Sequence, residues 1–245
     1  MSARELSVIT HVNKPSIGVL EEAATAGDWT MSVVGPFRGD RLPDLDAVEA
    51  LVVLGGPQSA YDVENHPYLV DEIAYLRDAH AREIPVLGLC LGSQLLADAL
   101  GGGSRLGDSG LECGFIDVTA VDDKSPLHGR FFSFHSDSAD PPADAEVLAR
   151  SDRYLQAWRL GTSTAIQFHP ELDGPGIEAL LALEGPKLRQ YGVDVDAIRD
   201  AIPAGGPQPG RRLLDVWLDD VPARNPVHRS DSASAQPHSH PRRIP

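Results

Sequence analysis

PVLGLCLGSQLLADALGGG, residues 85–103, is the stretch on which the rest of the chain depends. Val86 to Leu89 is a short apolar run and predicts a buried strand. Leu91, Leu95, Leu96, Ala99 and Leu100 then recur at the spacing of one helical face, and Gly101 to Gly103 end the helix. Cys90 stands at the junction, with Gly88 two residues before it and Gly92 two after. A strand that turns sharply into a helix brings these flanking positions together, and glycine leaves room for the approach. This is the pattern of a nucleophile elbow with Cys in place of Ser. The first helical turn has unpaired N–H groups and the positive end of the helix dipole, which favour thiolate over thiol. The N–H of Leu91 is then placed to donate to an oxyanion. A buried core cysteine is the competing reading of Cys90.

On the N-terminal side, strands are predicted at Leu6–His11, Thr30–Val34 and Ala50–Leu54, and helices over Pro15–Ala26 and from Pro67. In the second helix Leu69, Ile73 and Leu76 share the apolar face, with Asp71, Glu72, Arg77 and Asp78 placed elsewhere. Strands alternating with helices imply an α/β fold: an open, mostly parallel sheet flanked by helices. After Gly103 the pattern turns β-rich, with strands expected at Gly114–Val121, Arg130–Phe134, Val147–Ala149, Leu155–Trp158 and Thr164–Phe168. These read as antiparallel strands added at one edge. Helices are expected at Pro175–Leu188 and Val195–Ile202.

The 245 residues suit one domain, residues 1–202, and an extension. Residues 203–245 are rich in Pro, Ser and Gly and read as a largely disordered tail, dispensable for the chemistry, with Leu213–Val221 a candidate docking helix. His238 and His240 in that tail make a poor metal site, and no metal or other cofactor is expected. Cys90 and Cys113 form no disulfide framework, and the N-terminus carries no signal-like apolar run, which fits a reducing cytoplasm. No stretch is apolar for long enough to suggest a membrane span. A formal charge of -15 argues against nucleic acid as a partner.

Gln167-Phe168-His169-Pro170-Glu171 is the second informative stretch. Pro170 holds His169 extended, so His169 and Glu171, two apart, project to the same side at a strand end. A carboxylate beside an imidazole fixes its tautomer and stabilises its cation, the orienting role in a triad. An isolated HPE tripeptide would instead be a surface His beside a Glu; the cysteine elbow elsewhere tips the reading. Gly55-Gly56-Pro57 ends the third strand, where its backbone offers a second oxyanion donor or simply an ordinary tight turn.

LVVLGGPQSAYD, PVLGLCLGSQLLADALGG and AIQFHPE, in this order, resemble the class I (triad) glutamine amidotransferases over about residues 5–190, and most of all the standalone GMP-synthase-like domains. The resemblance implies Cys90 as nucleophile, with His169 and Glu171 completing the triad. It implies oxyanion donors at Gly56 and Leu91, and substrate contacts from Gln94 and from His135, Ser136 and Asp137. Two departures stand out: Ser136 replaces a usual glycine, and Glu112-Cys113-Gly114-Phe115 stands where some relatives carry Glu-x-Gly-Trp. Cys113 is expected to be structural. The chain has three lysines, none in a Walker loop, and lacks the Ser-Gly-Gly-x-Asp-Ser loop of an ATP-using synthase domain. The expected activity is therefore hydrolysis of the glutamine side-chain amide through a glutamyl thioester, supplying ammonia to a separate synthase. The rivals are a standalone γ-glutamyl amide hydrolase with the same triad, and a non-catalytic binding protein.

Overall fold

The computed structural model describes residues 4–204 and 208–222. In chain order the elements are β1 (Arg4–Ile9), α1 (Gly18–Ala26), β2 (Trp29–Val34), β3 (Ala50–Val53), α2 (Tyr68–Ala81), β4 (Val86–Leu89) and α3 (Leu91–Ala99). Then follow β5 (Gly103–Leu106), β6 (Glu112–Ala120), β7 (Gly129–His135), β8 (Asp137–Asp140), β9 (Glu146–Arg150), β10 (Leu155–Leu160) and β11 (Ser163–Ile166). Helices α4 (Gly174–Gln190), α5 (Val195–Asp200) and α6 (Gln208–Asp220) complete the described elements.

Nine strands form one sheet in the order β2-β1-β3-β4-β11-β10-β9-β6-β7. The first five are parallel neighbours, and β10, β9, β6 and β7 extend the sheet antiparallel. The open sheet with antiparallel strands added at one edge is the expected one. β3 and β4 are buried throughout, as parallel strands covered on both faces must be. One face packs against α1 and α6, around Leu20, Val52, Phe168 and Leu214. The other packs against α2 and α3, around Leu51, Leu69, Val86 and Leu95. A third cluster joins α4 and α5 to Phe132 of β7 through Ile177, Leu181 and Ile198.

Three features differ from the sequence reading. β5 and β8 pair as a separate two-stranded ribbon, which no periodicity announced. Glu72, assigned to the polar side of α2, is fully buried. Within the stretch read as a largely disordered tail, the candidate docking helix Leu213–Val221 is present and starts earlier, as α6: Leu213, Leu214, Leu218 and Val221 are buried in the main core, and Arg4 Nη2 donates to the Val221 carbonyl at 2.9 Å. The physical reason is amphipathicity: LLDVWLDDV places its leucines on one helical face, and α1 supplies the surface that covers them. His238 and His240 lie outside the described residues. No described helix is long and apolar enough to cross a membrane.

Candidate active site

The candidate residues converge at the carboxyl ends of the parallel strands, where open α/β sheets form their crevices. β1 delivers His11, β3 delivers Gly55 and Gly56, β4 delivers Cys90, and β11 runs on to His169 and Glu171. The turn at Cys90 is as sharp as its flanking glycines suggest. Cys90 has φ 50° and ψ -107°, a conformation a non-glycine residue adopts only under constraint. Its N–H donates to the Ile166 carbonyl at 2.8 Å, tying the elbow to β11. A Cβ on Gly88 would lie 2.5 Å from the Gly92 carbonyl oxygen, and one on Gly92 would overlap that of Val53. Both glycines are therefore required by the backbone approach.

Cys90 is 7% exposed, and its Sγ faces the Phe134 carbonyl at 3.8 Å. His169 Nδ1 lies 2.8 Å from Glu171 Oε1. The His169 N–H donates to the Phe132 carbonyl at 2.9 Å, which anchors the residue to β7. Among the described residues, His169 Nε2 makes no hydrogen bond. Burial alone lowers the pKa of His169, but the charges of Glu171 and the Cys90 thiolate outweigh it and raise it well above 6.5. Gly55 separates the two groups: a Cβ there would sit 3.1 Å from His169 Cε1 and 3.4 Å from Cys90 Cβ. Cysteine and imidazole thus face one another across a glycine, with one imidazole nitrogen held by a carboxylate and the other open to a reacting group.

Leu91 opens α3, so its N–H has no carbonyl within the helix to donate to. Gly56 packs against both Leu91 and His11: a Cβ on it would fall 3.0 Å from Leu91 Cδ2 and 2.5 Å from His11 Cβ. Gln94 lines the same cleft, its amide donating to the Asp137 carbonyl and to Gln167 Oε1, both at 3.3 Å.

His135, Ser136 and Asp137 span the junction of β7 and β8 on the cleft wall. Both His135 ring nitrogens are occupied within the protein, Nδ1 by the Asp137 carbonyl at 2.8 Å and Nε2 by Glu112 Oε2 at 3.1 Å. His135 therefore shapes the loop rather than presenting a ring nitrogen to the cleft. The Asp137 carboxylate accepts from Ser59 at 2.5 Å and Tyr61 at 3.2 Å, fastening this loop to the one after Gly56. The Ser136 carbonyl accepts from the Gly107 N–H at 2.8 Å.

Sequence reasoning missed the role of Glu112 as a hub. Its carboxylate accepts from Gln156 at 2.7 Å, Ser151 at 2.9 Å, His135 at 3.1 Å and Ser133 at 3.2 Å. Burial would raise its pKa, yet His135, Ser151 and Gln156 lower it. Cys113 beside it is a thiol whose pKa burial pushes to about 12, in keeping with a structural role.

The cleft holds about 700 Å³ and extends from Cys90 past Phe134 to Leu180, Leu183 and Tyr191 at α4.

The family model Glutamine amidotransferase class-I matches residues 36–179. Gamma-glutamyl-L-1-hydroxyisopropylamide hydrolase of a Pseudomonas species is 32% identical over 147 residues, 53% of this chain and 49% of that protein. The chain thus spans about half the length of that relative. A glutamine-hydrolyzing GMP synthase component of Haloarcula marismortui is 36% identical over 156 residues, 58% of this chain and 75% of that one. Among solved structures, a glutamine amidotransferase from Thermotoga maritima superposes with a TM-score of 0.77 at 26% identity, covering 88% of this chain and 95% of the other.

Proposed function

The chain belongs to the class-I glutamine amidotransferase family, and from that premise we propose that it hydrolyses the side-chain amide of glutamine through Cys90, His169 and Glu171, passing the ammonia to a separate synthase. The observation that carries this reading is the strained Cys90 facing a His169–Glu171 pair across Gly55. Cys90 Sγ attacks the amide carbon, and the carbonyl electrons move to oxygen, held by the N–H groups of Gly56 and Leu91. His169, kept cationic by its two anionic neighbours, gives its Nε2 proton to the departing nitrogen as the C–N bond breaks. Ammonia leaves and a glutamyl thioester remains. His169 then takes a proton from water, whose oxygen attacks the thioester; glutamate departs and the thiolate returns. Glu171 holds Nδ1 throughout, so Nε2 always faces the reaction. The cytoplasm is the compartment this thiol chemistry fits.

A second reading is favoured by the size of the cleft. About 700 Å³ is room for a ligand of drug-like size, beyond what glutamine fills. Its far end, lined by Leu180 and Leu183 with Glu184 and Lys187 beside them, leaves room for the amine portion of a larger γ-glutamyl amide. The hydrolase similarity named above points the same way.

Purified protein offered glutamine and a γ-glutamyl dipeptide at equal concentration separates the two. Glutamate and ammonia released from glutamine, rising when a synthase is added, supports the first reading. Cleavage of the dipeptide alone supports the second. Silence on both, with no labelling of Cys90 by a glutamine-like diazo-ketone, overturns the proposal and leaves a binding protein.

A further inference from the structure

Behind the Gly55-Gly56 turn lies a buried pair that the chemistry above does not use. His11, at the end of β1, and Glu72, in α2, both have wholly buried side chains. His11 Nε2 lies 3.0 Å from Glu72 Oε1 and 3.2 Å from Oε2. Its other nitrogen, Nδ1, lies 3.3 Å from the Gly55 carbonyl oxygen. A carbonyl only accepts, so the contact is a hydrogen bond when Nδ1 carries the ring hydrogen. Tyr68 stacks on the ring, its pKa pushed to about 12 by burial and by the charge of Glu72.

The consequence follows from peptide geometry. In a trans peptide the carbonyl of one residue and the N–H of the next lie in one plane and point in opposite directions. Fastening the Gly55 carbonyl to His11 therefore aims the Gly56 N–H the other way, off the buried pair. Two consecutive glycines would otherwise leave this peptide free to turn over. We propose that His11, held by Glu72, is a positioning residue that locks the Gly55–Gly56 peptide so that the Gly56 N–H serves as an oxyanion donor. The inference rests on the reaction proposed above. His11 touches neither substrate nor thiol; it acts through the backbone.

Side-chain shape supplies the test. The amide nitrogen of asparagine can replace Nδ1, whereas that of glutamine sits nearer Nε2. His11→Asn should keep kcat within about tenfold of wild type. His11→Gln should lose about 100-fold in kcat, the order seen when one oxyanion donor is removed. KM should stay within about threefold in both, and iodoacetamide should alkylate Cys90 at the wild-type rate, reporting an intact elbow. Crystal structures of the two variants read the lock without activity: the Gly55–Gly56 peptide should keep its orientation in His11→Asn and turn in His11→Gln. Glu72→Gln, which keeps the shape of the buried partner and lowers its hold on Nε2, should fall between them and serves if His11→Gln does not fold. Equal kcat in the Asn and Gln variants, or an unturned peptide in His11→Gln, overturns the lock. A wild type without amide hydrolysis overturns the proposed reaction instead, and the crystallographic arm still decides the lock's geometry.

Discussion

The Glu112 carboxylate and the His135 imidazole meet at 3.1 Å, with side chains 3% and 1% exposed, behind the loop that walls the cleft. Breaking a buried pair by removing one partner's charge costs about 3–5 kcal/mol, because the other charge stays buried. Glu112→Gln should lower the melting temperature accordingly and raise KM for the substrate through the displaced Asp137 loop. The sign with pH is fixed by direction. Folding lowers the pKa of Glu112 below 4.5, so the pair stabilises the fold above that value. The contribution is lost as pH falls through the folded-state pKa. Acid unfolding curves of wild type and Glu112→Gln should converge at low pH; curves parallel throughout would show that the pair contributes nothing pH-dependent.

His169 owes part of its raised pKa to negative charge on Cys90. Cys90→Ala removes that charge, so the His169 pKa should fall, read from the ring proton shifts by NMR titration. A raised folded-state pKa stabilises the protein below about 6.5, and that stability is lost as pH rises through the folded value. An unchanged His169 titration in Cys90→Ala would sever the proposed thiolate–imidazolium coupling.

Amide hydrolysis should fall by about 10⁴-fold or more in Cys90→Ala and in His169→Ala, since triad members act as a unit. Glu171→Gln should cost less, because the His169 backbone remains fastened to Phe132. Wild-type turnover in folded Cys90→Ala protein would end the proposal.

Gly92→Ala and Gly55→Ala should fail in different ways. A Cβ on Gly92 overlaps the Val53 backbone, which cannot yield locally, so that variant should fold poorly. A Cβ on Gly55 meets His169 at 3.1 Å and Cys90 at 3.4 Å. Gly55→Ala should keep most of its thermal stability and lose about tenfold or more in kcat, since small misplacements of reacting groups are costly.

Truncation after Ile202 removes α6 and with it buried Leu213, Leu214 and Leu218. At about 1.5–3 kcal/mol for each fully buried leucine, the shortened protein should unfold at a much lower temperature. Melting of the truncated protein at the wild-type temperature would show that α6 adds nothing.

The α/β class, the elbow and the HPE element were legible in the residues alone, because each is local. Gly88 and Gly92 flank Cys90 within five residues, and His169 and Glu171 stand two apart just after β11, where a bend and turn over 167–171, not the expected strand alternation, bring their side chains to 2.8 Å. Long-range packing settled what stands behind them. His11 and Glu72 are 61 residues apart, and Glu112 reaches Gln156 across 44. Its charge set Glu72 apart from the face of Leu69, Ile73 and Leu76; yet it is three residues after Leu69 and four before Leu76, a position on the buried face. Only the sheet order, which sets β1 beside β3 and lays α2 across them, turns that carboxylate toward a histidine. The residues alone marked Leu213–Val221 as a candidate docking helix; whether it docks was decided by tertiary structure, because an amphipathic helix folds or frays according to the surface it finds, and here α1 provides one.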